Sequence, residues 1–100
     1  MTMIDAKVLS EIIHERAAQD AEWGGAAHDD THGPGEWLEH LSHQLDQADA
    51  AASFPDEVAW SVRDRLIKIA ALSVAAIESI DRVTARNADL SSDLDRKSVV

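Results

Sequence analysis

Two pairs of carboxylates in this chain sit three residues apart on predicted helices, Glu36-x-x-Glu39 and Glu78-x-x-Asp81. Side chains three apart share a helix face, so each pair can present hard oxygen ligands in one direction. Two such pairs facing each other suit Mg²⁺, which would polarise a phosphate and activate a water. The pairs fall early in one predicted helix and late in the next, so an antiparallel arrangement would let the four meet. The competing reading is an exposed helix edge, because Glu78 and Asp81 flank the apolar Ile77 and Ile80.

The histidines form another constellation. His28, His32, His40 and His43 lie close together with Asp29 and Asp30 among them. His40 and His43, three apart on one predicted helix, are spaced for a shared transition metal. The same residues around glycines also make ordinary hydrogen-bonded surface turns. Trp23 and Trp37 bracket this segment. An indole there can stack on a nucleobase, or anchor the segment to the core, which is the expectation for Trp37. Trp60 is expected in the core or a subunit interface. No serine–histidine–acid arrangement, phosphate-binding glycine loop or dinucleotide fingerprint is present.

The elements that must position these residues are helical. Alanine is abundant, and no segment sustains the two-residue alternation of a strand. The first predicted helix runs from about Ile4 to Glu22, with Ile4, Val8, Ile12 and Leu9, Ile13, Ala17 as its apolar stripe, and stops at Gly24-Gly25. Residues Gly24 to Gly35 hold all four glycines and read as a loop. A second helix spans about Glu36 to Ala52, with Trp37, Leu41, Gln44 and Ala48 on one face. Ser53-Phe54-Pro55-Asp56 is a turn, and Pro55 opens a third helix reaching about Arg86. Val58, Val62, Ile69, Ala76, Ile80 and Val83 track one side of it, widened by Leu66, Ala70, Ser73 and Ile77. Residues 88–100 are expected to be a polar tail or a short terminal helix, after a domain spanning 1–87. The fold class is therefore all-α, a three-helix subunit with apolar faces wide enough to be completed by oligomerisation.

Bulk properties narrow the function classes. The chain has 100 residues, no cysteine and a formal charge of −10. That field opposes nucleic-acid and anionic-membrane binding. The longest apolar run, Ile69 to Ile77, is too short to cross a bilayer. No signal peptide is recognisable at the start, so a cytoplasmic protein is expected.

Several of these residues carry a family resemblance. Glu15-Arg16, Gln19-Asp20, Trp23-Gly24, His28-Asp29-Asp30 and Glu36-Trp37-Leu38, followed by the stretch Leu66 to Arg82, resemble small phage and prophage proteins of the MazG-like group. The resemblance covers about the first four fifths of the chain. It implies an all-α nucleoside triphosphate pyrophosphohydrolase scaffold, at least dimeric, that binds magnesium through a Glu-x-x-Glu and a Glu-x-x-Asp pair. Aligned on Trp37, the first pair falls on Gln44 and Gln47. Aligned on the alanine-rich stretch after Leu66, the second falls on Arg65 and Lys68. Amides are poor magnesium ligands and cations are none, whereas arginine binds phosphate in a bidentate manner.

Three functions follow as expectations. The first is a non-catalytic protein that binds a nucleotide or cyclic nucleotide, needs no cofactor, and serves a phage by sequestering a signal of host immunity. Gln44, Gln47, Arg65 and Lys68 would face the phosphates, with Arg16, Trp23 and His28 added. The second is a Mg²⁺-dependent pyrophosphohydrolase using Glu36, Glu39, Glu78 and Asp81. The third is a helical oligomer whose acidic surface engages a basic protein.

Overall fold

The computed structural model of the chain describes residues 3–53 and 58–98, with side chains placed in 3–53 and 61–90. Four helices account for nearly all of it: α1 (Ala6–Trp23), α2 (Gly25–Asp29), α3 (Pro34–Ala51) and α4 (Val58–Ser98). No helix among the described residues is long and apolar enough to cross a membrane.

Local chemistry explains the boundaries. Asp5 caps α1, its carboxylate accepting from the Lys7 and Val8 amides at 2.9 and 3.2 Å. Gly24 ends α1 with φ +102° while its N–H bonds the Asp20 carbonyl, a left-handed cap that glycine adopts without a Cβ penalty. Pro34 occupies the first turn of α3, where its missing N–H leaves no helical bond unmade. Glu36 reaches back to the Gly33 amide at 3.4 Å.

Two expectations about the elements are corrected. The segment from Gly24 to Gly35 is not all loop, because α2 forms one short helical turn within it. Residues 88–98 are neither a tail nor a separate helix, since α4 continues unbroken to Ser98. The polar sequence there contains no proline or glycine to stop a helix. The expected turn at Ser53-Phe54-Pro55-Asp56 and the packing of Trp60 lie outside the described residues.

The 41 residues of α4 make a rod of about 60 Å, which sets the 69 Å long axis of the molecule. Helix α3 runs antiparallel to it: Trp37 packs on Leu72, Ala75 and Ala76, and Gln44 meets Arg65. Helix α1 runs in the same direction as α4, Glu11 pairing with Arg63 at 2.7 Å and Glu15 with Lys68 at 3.4 Å. Among the described residues α1 and α3 pack on α4 but do not approach each other. The molecule is therefore a V of two helices on a common rod.

Core and surface follow from that shape. The face of α4 carrying Ala71, Leu72, Ala75, Ala76 and Ser79 is buried between the arms. Small residues there let both arms come close. The stripe on α1 remains largely uncovered, with Ile4, Leu9 and Ile13 exposed, and the buried residue of that helix is polar Gln19. On α4, Leu66 and Ile77 (60% exposed) face outward, so the wider apolar face predicted there is left uncovered among the described residues.

Candidate functional site

The open side of the V is a cleft of about 390 Å³, floored by Leu72 and Ala75 of α4. Helix α1 contributes Arg16, Gln19, Asp20 and Trp23 to one wall. These positions recur at three, four and seven residues, so the helical repeat alone aligns them on one face. Helix α3 supplies Trp37, His40 and Gln44 to the opposite wall, again at helical spacing, and α2 with its following turn closes the end with His28, Asp29 and His32.

The position of α2 depends on a clamp at Asp30. Its carboxylate receives Ser79 Oγ at 2.8 Å, Arg82 Nε and Nη2 at 3.1 and 2.9 Å, and Arg86 Nη2 at 2.5 Å. Ser79 is 1% exposed and also lies 3.2 Å from the Asp29 carbonyl. The Arg82 guanidinium, then Ser79, hold the Asp30 carboxyl down to about 2 despite opposing desolvation. This ties α2 to α4 and turns the neighbouring Asp29 toward the cleft.

Three residues that line the cleft each have a buried side-chain atom without a hydrogen-bond partner among the described residues: Gln19 Oε1, Asp29 Oδ2 and Trp37 Nε1. These residues are 6%, 5% and 3% exposed. Arg16 Nη1 lies 3.7 Å from Asp29 Oδ2, an ion-pair distance beyond hydrogen-bonding reach. The same guanidinium faces Asp20 at 3.4 Å and Glu78 at 3.3 Å. His32 packs edge-on against His28, Trp37 and His40 with ring centroids 4.9, 5.1 and 5.1 Å away. Trp23 is half-exposed on the opposite wall.

The structure divides the residues singled out from sequence. Arg16, Trp23, His28 and Gln44 share the cleft. Arg65 sits behind it, donating to Gln44 Oε1 at 3.4 Å. Lys68 turns the other way, toward Glu15 of α1, so the two cations serve different helices rather than one anion. Gln47 bonds His43 at 2.8 Å, one turn back on α3. Trp37 is both core and cleft wall, its ring packed on α4 and its N–H left unpaired. Gln19 and Asp29 were not singled out as ligand-facing from sequence; the available signal was the helical spacing of Gln19 from Arg16 and Trp23.

Two of the four carboxylates considered for magnesium have partners within the chain. Antiparallel α3 and α4 do place the start of one by the end of the other. However, Glu36 accepts from His32 at 3.0 Å and from the Gly33 amide, contacts that lower its pKa, the His32 bond most. Glu78 is taken by Arg16 of α1. Among the described residues no group of three or more His, Cys, Asp or Glu side chains is placed to hold a metal ion. Comparison with protein-family models, curated proteins and solved structures finds no match to this chain.

Proposed function

We propose that this protein is a non-catalytic binder that captures a nucleotide in the cleft between α1 and α3. The observation carrying this reading is the coincidence of three buried, unpaired polar atoms, on Gln19, Asp29 and Trp37, in the walls of one cleft. A buried polar atom without a partner costs about 1–3 kcal/mol. A ligand that pairs with all three removes that cost and gains orientation from it. The rest of the lining is largely aromatic and apolar, which suits a planar heterocycle. Trp37 and Gln44 lie two turns apart on α3, about 10 Å, so a base and its attached sugar phosphate can lie along the wall between them.

The family resemblance supports binding over hydrolysis. Gln44, Gln47, Arg65 and Lys68 stand where it would place four magnesium carboxylates, and none of them is a competent ligand. Sequestration of a nucleotide signal by a phage-encoded protein is the biological setting this reading favours. A second copy completes the assembly. Leu66, Ala70, Ser73, Ile77 and Ile80 recur on α4 at alternating intervals of four and three, the spacing of a helix–helix seam. Ser73 is compatible with such a seam because its hydroxyl bonds the Ile69 carbonyl at 2.8 Å.

Isothermal titration with nucleoside phosphates and cyclic dinucleotides in EDTA tests the proposal. Saturable binding is expected, and its absence across both classes would remove the reading. Chromatography of nucleoside triphosphates incubated with Mg²⁺ or Mn²⁺ tests the hydrolase. Monophosphate and pyrophosphate products, lost in Glu78→Gln, would establish it instead.

A further inference from the structure

We infer that the α2 end of the cleft receives the amine-bearing edge of a nucleobase, with guanine its best complement, and that the ligand's phosphates lie away from that end. The inference rests on the nucleotide-binding reading above and adds which part of the ligand enters first. It follows from the types of the unpaired atoms. Gln19 Oε1 and Asp29 Oδ2 accept hydrogen bonds, whereas Trp37 Nε1–H donates one. Their complement is an edge with two donors and an acceptor. An ionised phosphate has only acceptors, and Asp29 has no donor to offer it while it remains a carboxylate.

Charge gives the same direction independently. One guanidinium, that of Arg16, faces the three carboxylates of Asp20, Asp29 and Glu78. Lys68 pairs with Glu15, and Arg82 and Arg86 share Asp30, with Arg82 also within electrostatic reach of Asp29 and Glu78, so four carboxylates including Asp30 stand against three guanidinium groups. The α2 end therefore has excess negative charge, which repels a phosphate and favours N–H donors. Guanine offers an N1–H and a 2-amino group beside a carbonyl oxygen. Hypoxanthine keeps the ring and the carbonyl but lacks the amine, and uracil has a single N–H donor. The ring faces would lie against Trp37 and the histidine rings.

The test is calorimetric titration of the full chain with guanosine, inosine and guanosine monophosphate. Guanosine is expected to bind at least about tenfold more tightly than inosine, since a buried acceptor left unpaired is heavily penalised. Adding the 5′-phosphate should change affinity by less than that. Asp29→Ala, which removes the acceptor and is checked for its helical circular dichroism, should bring guanosine down to the inosine level. Equal affinities for guanosine and inosine, or binding of the monophosphate without measurable binding of guanosine, would overturn the inference. Nucleotides that bind without base preference would leave the function proposal standing and remove this one alone. Failure of every nucleoside and nucleotide would remove both.

Discussion

Replacing Ser79 with alanine deletes one oxygen from the most enclosed polar position of the fold, and its consequences can be worked through atom by atom. The hydroxyl is 1% exposed and links α4 to the Asp30 carboxylate at 2.8 Å and the Asp29 carbonyl at 3.2 Å. Alanine fills nearly the same volume, so no cavity term arises and the loss is one of hydrogen bonding. Both acceptors keep other donors, Arg82 and Arg86 on the Asp30 carboxylate and the His32 amide on the Asp29 carbonyl, so the loss is that of one net hydrogen bond, about 0.5–1.5 kcal/mol. In a domain of this size each kcal/mol lowers Tm by about 4–8 °C. The expected result is therefore a fall of at least about 2 °C in a thermal melt followed by circular dichroism. Because Ser79 helps hold Asp30 in its ionised form, the variant should also lose stability at a higher pH on acidification. Ligand affinity should fall with it, since α2 carries Asp29 into the cleft. A variant melting within about 1 °C of the parent, with an unchanged acid response, would refute the assignment of Ser79 as the anchor of α2.

Other predictions follow from separate features. The Asp30 carboxyl is held at about 2 against an ordinary 3.8, so its contribution is complete above pH 3.8 and disappears as pH falls through 2. Melts at pH 5 and pH 2.5 should show a larger loss for the parent than for Asp30→Asn; equal losses would contradict the clamp. Gly24→Ala should destabilise by about 1–2 kcal/mol through its φ alone, because an added Cβ would meet only the His28 Cβ at an ordinary 3.5 Å. A denaturant midpoint unchanged from the parent would show that α1 does not end as described. Ile77→Asp should yield a monomer by light scattering while preserving helicity, since Ile77 is 60% exposed on α4. A parent that is already monomeric at micromolar concentration would remove the expected seam.

Much of the scaffold was legible because helix periodicity is a local property. Gly24 marked a real boundary, α3 begins at Pro34 rather than at the expected Glu36, and Trp37, Leu41 and Ala48 point toward α4 as their spacing predicts. The Gly24–Gly35 segment was harder to read. Its glycines signal a break, but α2 depends on Asp30 meeting Ser79, Arg82 and Arg86, residues about fifty positions away. No local rule contains that contact. The stripe on α1 shows the opposite limit, for Ile4, Leu9 and Ile13 have helical periodicity without being covered in one chain.

The sequence by itself determined the helices, the acidic charge, and the amides at positions 44 and 47 and cations at 65 and 68. It also aligned Arg16, Gln19 and Trp23 on one face, because a side chain's direction on a helix follows from its position. Tertiary structure alone decided that this face would look across a cleft at Trp37, and that Asp29 would enter the cleft while Asp30 turned away. It also sent Arg65 to α3 and Lys68 to α1, although they sit three residues apart. The physical reason is that α4 is flanked by both arms. Which arm a side chain on a central helix meets depends on the rotation of that helix within the bundle, and packing, not local sequence, sets that rotation.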